Sequence, residues 1–239
     1  MTPTIHPCGD SALMLQLGDK IDAEANARII ALAARIEAAG VMGVGEVVPT
    51  YRSLLLRYDP ERIRGAEVER MLLRGYEGLS DTETAGRHWT VPVVYGGEVG
   101  QDIEEMALAK GLTPDEMVAL HSGAEYRVYM IGFAPGFAYL GGLPEILHTQ
   151  RLATPRQNIP AGAIGIGGQQ ASINSVAGPS GWRFIGWTPV KSFDPTRPEP
   201  FLFRAGDRIR FRAVEVDEGK LLAERIEAGE AVIEPEAAA

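Results

Sequence analysis

Between Gly132 and Gly186 the chain holds eleven of its 28 glycines and five of its 16 prolines, together with Arg156, Trp182 and almost no charge. A stretch punctuated this densely cannot run as long helices. Glycine opens positive φ and close backbone approach, whereas proline fixes φ and removes a backbone donor. Its opening segment is Gly132-Phe133-Ala134-Pro135-Gly136-Phe137-Ala138-Tyr139-Leu140-Gly141-Gly142-Leu143-Pro144. This segment is too interrupted for a regular strand or helix and too apolar for a free linker. It reads as an ordered loop whose aromatic side chains anchor it to a core and line a site.

At 239 residues, 45% hydrophobic and 23% charged, the chain has enough apolar surface for one large domain or two small ones. A net charge of −9 without any basic run argues against affinity for a phosphate backbone, so nucleic acid is not an expected partner. The single cysteine, Cys8, excludes an internal disulfide. No basic segment followed by an apolar one opens the chain, and no apolar stretch approaches the roughly 20 residues that span a bilayer. The expectation is a cytoplasmic protein with no membrane partner.

Periodicity predicts a small α+β domain over residues 1–86. Ala12 to Leu17 reads as a strand. Ala25, Ile29, Leu32, Ala33 and Ile36 recur at helical spacing, with Asp22 as cap and Gly40 as stop. Val44 to Pro49 and Ser53 to Tyr58 read as strands, and Val68, Met71 and Leu72 mark a second amphipathic helix fading by Gly78. Ser80 to Gly86 is small and polar, the composition of a linker. Residues 87–226 read as a mainly β domain, a barrel or a sandwich. His88 to Tyr95 is strand-like, and short helices follow near Gln101 to Lys110 and Pro114 to His121. The second of these opens on a capping box of Thr113 and Glu116 with Pro114 at its first position. Tyr126 to Ile131, Ile164 to Ile166, Ser172 to Val176 and the alternating Ile209, Phe211 and Ala213 read as strands. A short helix begins near Glu218, and the acidic, alanine-rich tail over 227–239 is expected to fray.

The familiar chemical motifs are missing. Gly165-Ile166-Gly167-Gly168 does not extend to a dinucleotide fingerprint, because position 170 is Gln, and Gly219-Lys220 lacks the upstream glycine of a phosphate loop. Ser180 lacks the spacing of a nucleophile elbow. His6, His88, His121 and His148 are scattered without metal-ligand spacing. Arg156, between Pro155 and Pro160, has two readings: a planar fork held ready for a carboxylate or phosphate, or a structural arginine bonding loop carbonyls. Arg151 and Arg183 are weaker versions of the same idea. His148 is either a proton-transfer group or a structurally satisfied ring, and no carboxylate stands at a fixed spacing from it. Trp182, Trp187 and Tyr139 read as core, whereas Phe133 and Phe137 suit the wall of a pocket.

Several segments together resemble one family in order and spacing. They are Val91-Pro92-Val93-Val94-Tyr95-Gly96-Gly97, Leu120-His121-Ser122, Gly132 to Leu140, Pro155-Arg156, Ile159-Pro160-Ala161-Gly162, Gly181-Trp182, Ile185-Gly186, Thr188-Pro189, Phe193-Asp194 and Gly206-Asp207. The family is that of the 5-oxoprolinase B subunit, also called allophanate hydrolase subunit 1 or KipI-like. The resemblance implies a small α+β domain followed by a cyclophilin-like β-barrel. It implies a chain that works with a homologous C subunit, joined by an A subunit, in the ATP-dependent opening of 5-oxoproline, a small cyclic amide, to glutamate. Other members imply other roles, as part of a urea-pathway carboxyltransferase or as an inhibitor of a histidine kinase. On the leading reading, His148 is the acid/base candidate. Arg156, Phe133, Pro135, Gly136, Phe137, Tyr139, Pro160, Gly162 and Trp182 are the candidates for binding substrate or partner. ATP is implied for the assembly, and no cofactor or metal for this chain alone. Two departures from the family pattern bear on specificity: Asn174 stands where a tyrosine is usual, and Ser180 where a glycine is usual.

Overall fold

The computed structural model describes residues 1–79 and 86–236. Apart from Gly86, the linker expected at Ser80 to Gly86 lies outside the described residues. The chain divides into two compact units, Met1–Ala85 and Gly86–Ala239.

The first unit runs β1 (Pro3–Pro7), β2 (Ala12–Leu17), α1 (Ala23–Ala39), β3 (Val44–Pro49), β4 (Ser53–Tyr58) and α2 (Gly65–Glu77). Its strands form an antiparallel sheet in the order β1-β2-β4-β3. Leu13, Leu15, Leu17, Leu54 and Leu56 share one buried face of this sheet, as the period of two requires, and Ile29, Leu32, Ile36, Val68 and Leu72 of the helices pack on it. Asp22 caps α1 by accepting from the Ala25 amide at 2.8 Å, and Gly40 ends the helix at φ 54°. Periodicity does not anticipate β1. Prolines at both of its ends hide it, and such a strand is tolerated because it lies on the sheet edge.

The second unit begins with β5 (His88–Tyr95), α3 (Ile103–Ala109), α4 (Pro114–Ser122), β6 (Glu125–Ile131), β7 (Ala138–Gly141) and a 3-10 turn at Glu145–Leu147. It continues with β8 (Arg156–Ile159), β9 (Ala163–Gly167), β10 (Gln170–Ile173), β11 (Gly178–Ser180), β12 (Arg183–Trp187), β13 (Arg208–Ala213) and α5 (Val216–Glu227). Seven of these strands close a barrel in the order β10-β7-β6-β13-β5-β12-β9, while β8 and β11 form a separate two-stranded ribbon. Val91, Val93, Val128, Leu140, Ile164, Ile166, Ala171, Ile173, Ile185 and Ile209 fill the barrel, joined by Met106 and Met117 from the two helices. All barrel pairings are antiparallel except β13 with β5.

The parallel seam is pinned at its start by Asp207, which is 3% exposed. Its carboxylate accepts from the Arg87 guanidinium at 2.7 Å, the Trp89 indole at 3.1 Å and the Arg204 amide at 2.9 Å.

Two expectations are corrected here. The segment from Gly132 is not loop throughout, because Ala138–Gly141 forms β7. Gly141 is glycine for room rather than for a turn: a Cβ there would overlap the Tyr129 ring. The tail does not fray over 228–236. Val232 and Ile233 pack against the barrel core, the Glu236 amide donates to the His88 carbonyl at 2.8 Å, and Thr90 Oγ1 donates to Glu236 Oε1 at 2.6 Å. Its acidic composition concealed two apolar side chains and a strand edge able to accept them.

His121 on α4 is wholly buried. Its Nδ1 lies 2.7 Å from the Tyr95 hydroxyl and its ring stacks on Phe211 at 4.8 Å. Burial pushes its pKa down to about 3. The unfolded chain binds this proton near pH 6.5 and the fold refuses it, so the native state loses stability as pH falls from about 6.5 toward 3, by at most about 1.4 kcal/mol per pH unit. Urea unfolding at pH 6.5 and pH 4.5 should show the native chain losing about 2 kcal/mol more than a His121→Gln variant does over the same interval. Equal losses would mean that His121 is not held neutral.

Candidate functional site

A second, smaller core lies on the outside of the barrel. In β9, Ile164 and Ile166 point into the barrel, so Ala163, Gly165 and Gly167 point out. The two outward glycines leave a shallow bed that the Trp182 indole covers. A Cβ at Gly167 would sit 2.8 Å from the indole ring, and one at Gly165 would sit 2.8 Å from Ser172 Oγ and 3.3 Å from Trp182 Cβ. Phe137, Phe184 and Ile159 complete the cluster. Phe137 meets Trp182 at 5.9 Å between ring centroids, Tyr139 at 4.7 Å and Phe133 at 5.7 Å, and Tyr139 meets Trp182 at 6.0 Å. The result is a row of rings running from buried Trp182 to Phe133, which is 77% exposed. The Arg151 guanidinium lies over Trp182, 4.7 Å from the ring centroid. Ser172, beside this cluster, is fully buried, and its hydroxyl has no hydrogen-bond partner among the described residues.

Phe133 is the one non-glycine residue among those described with a positive φ, at 69°. That backbone is strained for a bulky side chain. It is held by a tight turn in which the Gly132 amide donates to the Phe137 carbonyl and the Phe137 amide to the Ala134 carbonyl. Gly136, at φ 74°, seats the turn against Phe193, whose Cβ would be 2.6 Å from any Cβ added at position 136. The turn therefore presents Phe133 and Pro135 to solvent and sends Phe137 inward. Of the two phenylalanines expected to wall a pocket, Phe137 is core at 3% exposure, because it is the ring on which the others pack.

The fork of Arg156 is already taken. Its two terminal nitrogens donate to Asp102 at 2.7 and 2.6 Å, and the same carboxylate accepts the Phe184 amide at 2.6 Å. Asp102 is 2% exposed. This hydrogen bond lifts the Arg156 pKa above the usual arginine value, and the charge of Asp102 adds to it. The partner of Arg156 is a buried carboxylate rather than the loop carbonyls of its structural reading. Motif and spacing give no hint of Asp102. It occupies the N-cap of α3, where an aspartate normally turns back to cap its own helix, yet it makes no side-chain cap bond and reaches across to β8 and β12 instead.

The other candidates separate by role. Arg183 pairs with Glu105 at 3.1 Å. Asn174 is buried, and its amide donates to the carbonyls of Pro160 at 2.8 Å and Val176 at 3.0 Å. It therefore braces the Pro160 to Gly162 turn and presents no recognition surface. Gly162, at φ 81°, approaches the Thr188 carbonyl so closely that a Cβ would overlap it. Pro160 is exposed. Ser180 Oγ accepts from the Trp182 amide at 3.3 Å. The Nε2 of His148 donates to the Leu143 carbonyl at 3.2 Å, and among the described residues this ring joins neither the aromatic row nor the Asp102–Arg156 pair. Among the described residues the site shows no nucleophile beside a base.

The family model of the carboxyltransferase domain, subdomain C and D, matches residues 3–203, and the chain belongs to that family. It is 39% identical over 221 residues to the 5-oxoprolinase B subunit of Bacillus subtilis (strain 168), covering 87% of this chain and 91% of that protein. It is 41% identical over 204 residues to the 5-oxoprolinase B subunit of Escherichia coli O157:H7, covering 85% and 92%. The solved structure of TTHA0988 is 37% identical with a TM-score of 0.77 over 85% of this chain, which spans only 40% of that longer one. The urea amidolyase of K. lactis superposes with a TM-score of 0.81 over 98% of this chain and 16% of its own, at 17% identity. That last likeness is one of fold alone.

Replacing Arg156 with alanine strands the Asp102 carboxylate in the interior. The expected loss is about 3 kcal/mol of unfolding free energy, read by chemical denaturation, with Arg156→Lys falling between this variant and the native chain because lysine keeps charge but not the fork. Wild-type stability in the alanine variant would show that the pair does not hold the fold.

Proposed function

We propose that this chain is the B subunit of an ATP-dependent 5-oxoprolinase, which with its C and A partners opens 5-oxoproline to glutamate. The observation that carries this reading is its 39% and 41% identity, over nearly their whole length, to two proteins of that name. In the reaction a water oxygen bonds to the ring carbonyl carbon, the carbon–nitrogen bond breaks, and the nitrogen leaves as the amine of glutamate.

The groups on this chain support a share in that work rather than the whole of it. On this reading the aromatic row and Arg151 bind and orient, which lowers a barrier by fixing geometry. The acid/base candidate His148, and two further polar side chains, are otherwise engaged. His148 binds a carbonyl, His121 is sealed in the barrel, and Ser180 accepts from a backbone amide. Exposed Phe133 and Pro135, on a turn that holds them outward, supply an apolar surface suited to docking another member of the assembly. The two glycine runs nearest to a nucleotide motif are occupied by packing. Gly165 and Gly167 lie under Trp182, and Gly219 lies inside α5 with the Val94 side chain overlapping any added Cβ, so none of them can cradle a phosphate. On this reading ATP acts at the level of the complex.

The test assays the purified chain by itself, its partners by themselves, and the mixture, each with ATP and 5-oxoproline. Turnover is expected in the mixture only. Robust turnover by the lone chain, full turnover by the partners without it, or a mixture that acts on urea or allophanate instead would overturn the reading.

A further inference from the structure

The three arginines in the glycine-rich region have different fates. Arg156 is bound to Asp102 and Arg183 to Glu105. Arg151 is exposed, and among the described residues no carboxylate pairs with it. What it has is a platform. Its guanidinium lies 4.7 Å from the centroid of the Trp182 ring, which is itself immobilised on the glycine bed of β9. The backbone beside it is tied as well, because the Leu152 amide donates to the Gly181 carbonyl at 2.7 Å. An arginine packed against an aromatic face keeps its planar fork and donor edge available to a ligand, while the stacking limits the rotamers it must give up on binding. Beside it, burial raises the Tyr139 phenol above its ordinary value and the Arg151 charge draws it back down, so the arginine's field reaches the row of rings.

We infer that Arg151, and not Arg156, receives the carboxylate of the substrate, a small cyclic amide acid. The assignment rests on the proposed 5-oxoprolinase role and deepens it. Arg156 holds the site together from below, and Arg151 is left to recognise. The carboxylate meets a preorganised fork, an interaction strong enough for its removal to weaken binding about tenfold or more.

The experiment compares wild-type, Arg151→Gln and Arg151→Lys chains, each assembled with the partner proteins, in steady-state turnover of 5-oxoproline with melting temperature measured in parallel. The Gln variant should raise KM about tenfold or more with melting temperature and kcat little changed. The Lys variant should recover part of the loss, since it restores charge without the planar fork. Wild-type KM in both variants would overturn the assignment while leaving the proposed activity standing. Loss of folding or of assembly in both variants would also overturn it, because Arg151 would then be holding structure or partner. No turnover by the wild-type assembly would overturn the proposed activity and this assignment with it.

Discussion

The carboxylate of Asp102 is the point on which the candidate site depends. Burying it carries a desolvation cost of several kcal/mol, which is offset only because three donors converge on it: both arms of the Arg156 fork and the Phe184 amide. Those donors belong to different parts of the unit, Arg156 to the outer ribbon and Phe184 to the barrel wall, while Asp102 itself sits at the start of a helix. One charged group thereby clamps the ribbon onto the barrel and closes the edge of the aromatic cluster. The ring row and its exposed end are arranged around that clamp.

Most of the fold was legible in the sequence. The helix of the first unit announces its boundaries through Asp22 and Gly40, and the Thr113 to Glu116 capping box closes as its spacing requires, with Thr113 Oγ1 accepting from the Glu116 amide and the Glu116 carboxylate accepting from the Thr113 amide. Glycine misled where it was taken only as punctuation. Gly141 lies in a strand and lacks a side chain because the Tyr129 ring lies on its backbone; Gly165, in a segment read correctly as a strand, and Gly167 make the same room for Trp182. In sequence, a glycine that makes a turn and one that makes room for a ring are written alike.

The candidate site was legible in part for a related reason. Phe133, Phe137 and Tyr139 stand in one motif and Trp182 in a second, and the family pattern named all four. Their order of burial could not be read, because whether a ring is floor or rim depends on what packs beneath it. Asp102 lies 54 residues before its partner Arg156 and carries no local mark of its task. The choice between Arg151 and Arg156 turns on such long-range contacts. Fold and family descend from the motifs, whereas the division of labour among like residues emerges only when the chain has closed on itself.

The parallel seam of the barrel sets an order in time. Arg87, just ahead of β5, must meet Asp207, 120 residues later. At ordinary rates of translation that interval is on the order of ten seconds. Throughout it β5 has emerged without its β13 neighbour, an apolar strand whose open edge could template pairing with another nascent chain. Pro92 sits in the middle of that strand, and in the finished barrel β12 pairs with β5 only at Val94 and Tyr95. The Arg208 amide donates to the Arg87 carbonyl and the Val214 amide to the Val93 carbonyl, so the odd-numbered residues of β5 face β13, and Pro92 turns its missing donor to the opposite edge, where the finished ladder asks nothing of it.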